Sequence, residues 1–225
     1  MKTIRTKAIV LRRTNYGEAD RIVQLITPDY GKLSVMAKGV RREKSKLAGG
    51  IELFSRCDIT FATGKSEIAT LTGARSEAFY QKILADYDRL QFGYEVIKQI
   101  AKAADMLDEP AFFELLDQSF ATLNDIVTDL RLVKAWFWLQ LAVLMGQGLN
   151  LATDSNGMKL VEDAQYEFDQ GDQVFVYHEN GRFTSDHIKT LRLLSAQSPK
   201  IAGQVKGITT LIDDCLWLAE RAMAH

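Results

Sequence analysis

The chain has 225 residues, of which 47% are hydrophobic and 25% charged, a composition typical of a soluble globular protein. No apolar run reaches the roughly 20 residues that span a bilayer. The basic start, Met1-Lys-Thr-Ile-Arg-Thr-Lys7, has no apolar signal core behind it, so we expect a cytoplasmic protein. Two distant cysteines, Cys57 and Cys215, are too few for a disulfide framework or a four-cysteine zinc site, and we expect both to be buried.

Charge is distributed unevenly along the chain, although the net charge is only −1. Residues 1–75 contain 15 Lys and Arg against 7 Asp and Glu, a net charge of +8. The remainder contains 13 basic and 22 acidic residues, a net charge of −9. This asymmetry indicates a polyanion-binding module joined to an acidic domain. Two ordinary solvated surfaces that differ by chance are the alternative.

The first 75 residues predict β-structure. Five stretches are rich in β-branched residues or alternate apolar and polar positions, namely 6–13, 21–27, 32–38, 58–63 and 67–72. Pro28-Asp-Tyr-Gly31 predicts a hairpin turn between the second and third, and the fourth and fifth are joined around Gly64-Lys65. Five short strands with a long connection after the third fit a five-stranded Greek-key barrel of the OB type.

The pattern becomes helical from Ser76. A short helix is predicted to carry Phe79, Ile83 and Leu84 on one face, followed by a helix through residues 90–104. Glu109-Pro110 opens a third helix, and Thr128-Asp129 opens a fourth, which is strongly apolar and ends near Gly146. Residues 150–184 predict a small β-ribbon, after which a helix starts at Ser185-Asp186 and another closes the chain over 208–224.

We therefore predict an α+β protein with two domains. Residues 1–75 form an OB-fold nucleic-acid-binding domain, and residues 76–225 form an α-helical domain with a small β insertion at about 150–184. The tryptophans Trp136 and Trp217 are expected in the core. Neither the three histidines nor the adjacent carboxylates Glu162-Asp163 and Asp213-Asp214 have the spacing of a metal site or an acid–base pair, so we predict no metal, no cofactor and no catalytic residue.

The connection after the third strand is the strongest candidate for a functional site. Five of the eleven residues in Ala37-Lys-Gly-Val-Arg-Arg-Glu-Lys-Ser-Lys-Leu47 are basic, as phosphate binding requires. Further cations on or beside the strands could extend the patch. The predicted DNA-binding residues are Arg12, Arg13, Lys32, Lys38, Arg41, Arg42, Lys44 and Lys46. Tyr16 and Tyr30 are the nearest aromatic residues; they could stack on bases, although packing within the hairpins is the alternative. A basic loop can also be merely a solvated surface loop.

The same segment carries a family resemblance. Ala8-Ile-Val-Leu11, Asn15-Tyr-Gly-Glu-Ala-Asp20, Tyr30-Gly-Lys32 and Ala37-Lys-Gly-Val-Arg-Arg42 through Ser45-Lys-Leu47 resemble, in order and spacing, the N-terminal signature of the RecO family. Phe137-Trp-Leu-Gln-Leu-Ala-Val-Leu-Met-Gly146 resembles its central helix, although Trp138 replaces a common acidic residue.

The resemblance implies an OB-fold, a helical bundle with an inserted ribbon, and a non-enzymatic role in DNA repair. It implies binding of single- and double-stranded DNA, annealing of complementary strands, and work with RecR to load RecA onto DNA coated by single-strand-binding protein (SSB), within the nucleoid. It also implies a site for the SSB C-terminal tail, for which Arg131 and Lys134 beside Trp136 and Phe137 are candidates; solvated charges at a helix start are the alternative. Many members carry four zinc-ligating cysteines in the ribbon, whereas residues 150–184 contain none.

Three other functions remain open. An OB-fold RNA-binding factor would share the basic barrel. A metal-dependent nuclease would need several converging carboxylates. A protein-interaction module would use the basic patch to bind acidic partners.

Overall fold

The computed structural model describes residues 2–64 and 68–223. Its first part contains five strands: β1 (Lys2–Tyr16), β2 (Asp20–Thr27), β3 (Gly31–Ala37), β4 (Ser55–Thr63) and β5 (Ala69–Phe79). Lys65 of the predicted turn and Glu67, the predicted start of the fifth strand, lie outside the described residues, as do Ala224 and His225 at the end of the chain.

The five strands close into a barrel in the order β1-β2-β3-β5-β4, with β4 pairing back onto β1. Neighbouring strands are antiparallel except β3 and β5, which run parallel. This order, with its long β3–β4 crossover, is that of the OB-fold, and the α+β prediction is confirmed. Inward-facing side chains fill the barrel, among them Val10, Val23, Leu25, Val35 and Ile59.

One predicted element is wrong. Residues 76–79 are not helical but form the last part of β5, where Ser76 pairs with Cys57 and Phe79 with Ser55. Only a short 3-10 helix follows, at Gln81–Ala85. Phe79 and Leu84 are both exposed, so their helical spacing did not mark a buried face. The free edge of β4 supplied backbone partners that a local pattern could not reveal.

Two helices follow in the same compact unit, which spans residues 1–124. They are α1 (Tyr87–Met106) and α2 (Ala111–Asn124), close to the predicted second and third helices. Side-chain contacts fasten them to the barrel: Lys32 on β3 binds Asp105 of α1 at 2.7 Å, and Arg56 on β4 binds Asp117 of α2 at 2.5 Å. The division at residue 75 stays a prediction; the contacts group the chain as 1–124 and 125–225, and β5 runs past the predicted boundary.

The second unit contains helices and a ribbon. The helices are α3 (Leu130–Leu144), α4 (Ser185–Ala196), the short α5 (Pro199–Ala202) and α6 (Ile208–Arg221). The ribbon is a three-stranded antiparallel sheet of β6 (Gln165–Asp169), β7 (Val174–Tyr177) and β8 (Phe183–Thr184), in the order β7-β6-β8. The predicted ribbon within residues 150–184 and the apolar α3 are confirmed, and α5 was not predicted.

Aromatic packing holds the ribbon together. Phe175 lies at the centre, with ring centroids 5.2 Å from Phe168, 5.8 Å from Phe183 and 6.2 Å from Tyr166. All four rings are buried. Gly181 lies so close to the backbone of Tyr166 that a Cβ there would stand 2.5 Å from it. The sheet thus has a core of its own, built from apolar side chains.

The sequence correctly predicted that both cysteines and one of the two tryptophans expected in the core, Trp136, are buried. Cys57 and Cys215 are buried, and burial raises the pKa of each thiol to about 12, so both are inert small side chains. Trp136 is buried as expected. Trp217 is only half-buried, and the guanidinium groups of Arg182 and Arg221 lie over its ring, 4.3 and 3.9 Å from the centroid. Among the described helices, none has the length and apolarity to cross a membrane.

Candidate nucleic-acid interface

The basic loop after β3 is anchored to the turn between β1 and β2. Gly39 adopts a left-handed conformation with φ +64°, and its N–H donates to Oδ1 of Asp20 at 2.7 Å. The N–H of Arg41 donates to the carbonyl of Ala19 at 2.9 Å, and its Nη1 donates to the carbonyl of Gly17 at 3.2 Å. Loop and turn therefore form one structural unit at one end of the barrel.

Two further features stiffen the loop. Val40 is buried in the barrel core, so the segment is tethered on its apolar side. Tight backbone turns follow, in which Arg42 N–H donates to the Gly39 carbonyl at 3.1 Å and Ser45 N–H to the Arg42 carbonyl at 3.0 Å. The loop's cations are thus displayed from a backbone whose position is fixed.

Six of the eight predicted DNA-binding residues are exposed. Five of them lie on the loop at this end of the barrel, and Arg12 lies on β1, opposite Gln24 in the middle of β2. Within the described part of the chain, none of the six has a carboxylate at ion-pair distance. We call these six the basic surface: Arg12, Lys38, Arg41, Arg42, Lys44 and Lys46. Cations without acidic partners keep mobile counterions, which a polyphosphate releases when it binds.

Arg13 and Lys32 lie elsewhere. Arg13 is paired in register with the core residue Val23, so it points to the inner side of the sheet, and it binds Glu52 at 2.6 Å. Lys32 is the second residue of β3, opposite Ile26, whereas Lys38 follows the other end of that strand, about 20 Å away at roughly 3.3 Å per residue. Its side chain is 17% exposed and donates to Asp105 and to the Ala101 carbonyl. Both cations stabilise the fold.

Arg21 is a cation that the sequence reasoning missed. It opens β2, pairs in register with Asn15 and Ala37, and donates from Nε to Oδ1 of Asn15 at 3.1 Å. It therefore lies at the same end of the barrel as the basic surface. The signal was available, because the hairpin turn after Tyr16 places the start of β2 beside the end of β3.

The two aromatic candidates differ in environment. Tyr30 lies in the β2–β3 turn, at the far end of the hairpin, and packs edge-on against Phe61 with ring centroids 6.0 Å apart. Tyr16 ends β1, pairs with Asp20, and therefore adjoins the anchored loop. Packing on Phe61 of β4 thus accounts for the ring of Tyr30.

The second predicted site stays a prediction. Arg131 begins α3 and binds Asp129 at 2.7 Å and Asp213 at 2.9 Å. These hydrogen bonds, above all the one to Asp129, raise the pKa of its guanidinium, which stays protonated while the two carboxylates balance its charge. Lys134 is half-buried, while Trp136 and Phe137 are 5% and 0% exposed. The two cations are therefore not flanked by open aromatic surface.

The residues of the ribbon do not fit a four-thiolate zinc site. Residues 150–184 contain no cysteine. Across residues 2–64 and 68–223, no group of three or more His, Cys, Asp or Glu side chains is arranged to hold a metal ion. The adjacent Asp213 and Asp214 diverge as expected, the first binding Arg131 and the second Arg182 at the ribbon.

Comparison with known proteins assigns the chain to a family. The family model described as "Recombination protein O N terminal" matches residues 1–80. A "DNA repair protein RecO" of Dehalococcoides mccartyi strain 195 is 33% identical over 164 residues, which are 72% of this chain and 64% of the relative. The chain belongs to the RecO family. All eight predicted DNA-binding residues fall within the segment that the RecO model matches.

Other proteins of the same name are similar. The RecO of Rubrobacter xylanophilus is 33% identical over 65% of this chain and 58% of its own length. The RecO of Salinibacter ruber is 29% identical over 70% of this chain and 61% of its own length. The alignments thus span less than two thirds of each of these RecO proteins.

Proposed function

We propose that this chain is a recombination mediator in DNA repair that binds single- and double-stranded DNA through the basic surface. In this proposal it anneals complementary strands and, with RecR, helps to load RecA onto SSB-coated DNA, without catalytic turnover. Membership of the RecO family supports the DNA repair role. The observation that carries the DNA-binding site is the group of six exposed cations without acidic partners among the described residues, five on the anchored loop at one end of a closed barrel and Arg12 on β1.

The physical basis is neutralisation of phosphate charge. Lys and Arg side chains contact the backbone in the same way whatever the base, so such a surface captures DNA without reading sequence. Annealing brings two polyanions together, and a cationic surface lowers their repulsion while both are bound. Because Gly39, Val40 and Arg41 fix the loop, little conformational freedom is lost on binding.

The direct test replaces Arg42, Lys44 and Lys46 with Ala. These three side chains make no ion pair within the described residues, so the fold should be preserved. We expect weaker binding for all DNA sequences. The slope of log Kd against log salt should fall by about 0.9 unit for each duplex phosphate that the variant no longer neutralises, and by about 0.7 unit on single strands. Fluorescence anisotropy across a salt series measures it.

The matched control removes the same charge elsewhere, through K7A/K82A/K102A. These three lysines are exposed and lie on the first half of β1, after β5 and on α1. An unchanged salt slope in the loop variant, or an equal reduction in the control, would refute the basic surface as the binding site. Preference of the wild type for structured RNA over single-stranded DNA would instead favour an RNA-binding factor.

The partner contacts of the proposal are RecR, RecA and the SSB C-terminal tail. For the tail, Arg131 and Lys134 remain the candidate residues. Loss of tail-peptide binding in R131A/K134A would support them. Because Arg131 bridges Asp129 and Asp213, thermal unfolding must be measured alongside to separate binding from stability.

A further inference from the structure

Tyr16 is an exposed side chain without an aromatic or hydrogen-bonding partner among the described residues. It is 56% exposed, and within the described residues its ring contacts no other aromatic ring and its hydroxyl makes no hydrogen bond. Tyr30 is 46% exposed, yet it packs on Phe61. The fold therefore uses the ring of Tyr30 and leaves that of Tyr16 open.

The strand pattern turns Tyr16 outward beside the basic surface. Arg12, Thr14 and Tyr16 alternate with Arg13 on β1 and are all exposed. Tyr16 also closes the turn whose carbonyls, at Gly17 and Ala19, accept hydrogen bonds from Arg41. The ring thus adjoins the anchored loop, and Arg12 lies about 13 Å along the same face of the strand.

We propose that Tyr16 is a stacking platform for an unpaired base of single-stranded DNA whose phosphates bind the basic surface; this rests on the proposed function. Cations hold the backbone of single strands and duplexes alike. An aromatic ring adds binding energy only where the face of a base is free, because bases inside a duplex are already stacked on each other. Tyr16 therefore makes the surface favour single strands.

The experiment compares three DNA ligands of equal length at one salt concentration. They are an oligo-dT, the same strand with abasic sites in place of bases, and a duplex. Anisotropy titrations are made with wild type, Y16A, Y16W and the control Y30A, each checked for folding by circular dichroism. We expect Y16A to lose about 5- to 150-fold in affinity for oligo-dT, the range for one stacked base, while keeping the wild-type affinity for the abasic strand and the duplex.

The remaining variants sharpen the assignment. Y16W restores a flat aromatic face and should recover oligo-dT binding. Y30A should bind all three ligands as wild type does, because the Tyr30 ring packs on Phe61 of β4 and is not part of the proposed surface. An unchanged oligo-dT affinity in Y16A, or an equal reduction on all three ligands, would overturn the stacking role.

Failure of this inference is distinguishable from failure of the proposed function. If R42A/K44A/K46A weakens all three ligands while Y16A weakens none, the DNA-binding surface stands and Tyr16 is not its platform. If the triple variant binds as wild type does, the surface itself is misplaced.

Discussion

Arg12 and Arg13 are neighbours in β1, yet their side chains enter different environments. Successive residues of a strand point to opposite faces of the sheet. Arg12 is paired with Gln24 and is exposed, whereas Arg13 is paired with Val23 of the core and binds Glu52. One residue of register therefore separates an exposed cation of the proposed DNA-binding surface from one held in an ion pair with Glu52.

His187 is the buried histidine of the described residues and caps α4. Its Nδ1 accepts a hydrogen bond from the N–H of Thr184 at 3.1 Å, while Nε2 lies 3.3 Å from Asp214. Burial lowers its pKa, against the opposing attraction of Asp214. The neutral ring is therefore the form that the folded protein favours.

The pH dependence of stability follows from that shift. Around the ordinary imidazole pKa of about 6.5, the unfolded chain binds more protons than the folded one. We expect the free energy of unfolding to be fully developed above that pKa and to fall as the pH drops towards the lower folded pKa. Urea unfolding at about pH 7.5 and about pH 5.5, on either side of the ordinary imidazole pKa, would measure the difference in the free energy of unfolding.

The matched variant is H187Q, which offers a neutral side-chain acceptor at every pH. We expect it to flatten the dependence between those two pH values. His178 is exposed, so H178Q should retain the wild-type dependence. A wild-type stability that rises on acidification would contradict the assignment of His187 as a neutral cap.

Among the elements, the connection between the basic loop and the β1–β2 turn is decisive. Asp20 brings a negative charge into a cationic region, which by electrostatics alone weakens DNA binding. Its carboxylate also accepts the N–H of Gly39 and thereby holds the loop in place. These two effects have opposite signs, so a pair of substitutions can separate them.

D20N keeps an oxygen acceptor and removes the charge, whereas D20A removes both. We expect D20N to bind DNA at least as tightly as wild type. D20A should bind DNA more weakly. It should also lose about 1–3 kcal/mol of stability, because the N–H of Gly39 loses its charged acceptor. Limited trypsin digestion should also cut the loop faster in D20A. Tighter binding by both variants would show that charge, and not anchoring, governs this loop.

The β5 strand shows how elements depend on their neighbours. Its last residues, 76–79, carry a helical spacing of apolar side chains, and yet they extend the barrel by pairing with Ser55, Arg56 and Cys57. The ribbon illustrates the same point, since a small sheet without cysteines is built around Phe175 and its three aromatic neighbours.

For the whole molecule, the segregation of charge bears on the proposed binding of DNA. The first 75 residues carry +8 and the remainder −9. A molecule of this kind is repelled by DNA on its acidic part and attracted at its basic surface, so electrostatics orients it. Strand annealing is the proposed activity whose rate this orientation should affect.

We expect the wild type to accelerate the annealing of complementary labelled strands coated with cognate SSB. R42A/K44A/K46A should lose this acceleration, and K7A/K82A/K102A should keep it, because annealing depends on phosphate neutralisation at one surface. Fluorescence energy transfer between the strands would follow the reaction. DNA binding without acceleration would count against the mediator role while leaving a DNA-binding barrel.

The sequence by itself determined the elements that depend on local pattern. Alternation marked the strands, the helical period marked α1 to α3, and the basic stretch marked the loop. It also fixed the split of charge and the absence of cysteines from residues 150–184. These features follow from residue types at short spacing, so no distant contact was needed to predict them.

Only the tertiary structure decided which side chains are free. Closure of the barrel extended β5, turned Arg13 inward and placed Lys32 against α1, so two predicted DNA-binding cations are held in ion pairs. It also brought Arg21 and Tyr16 beside the loop and packed Tyr30 on Phe61. The physical reason is that ion pairs, ring stacking and the face on which a side chain lies all depend on strand register. Register is set by contacts between residues that are far apart in the chain.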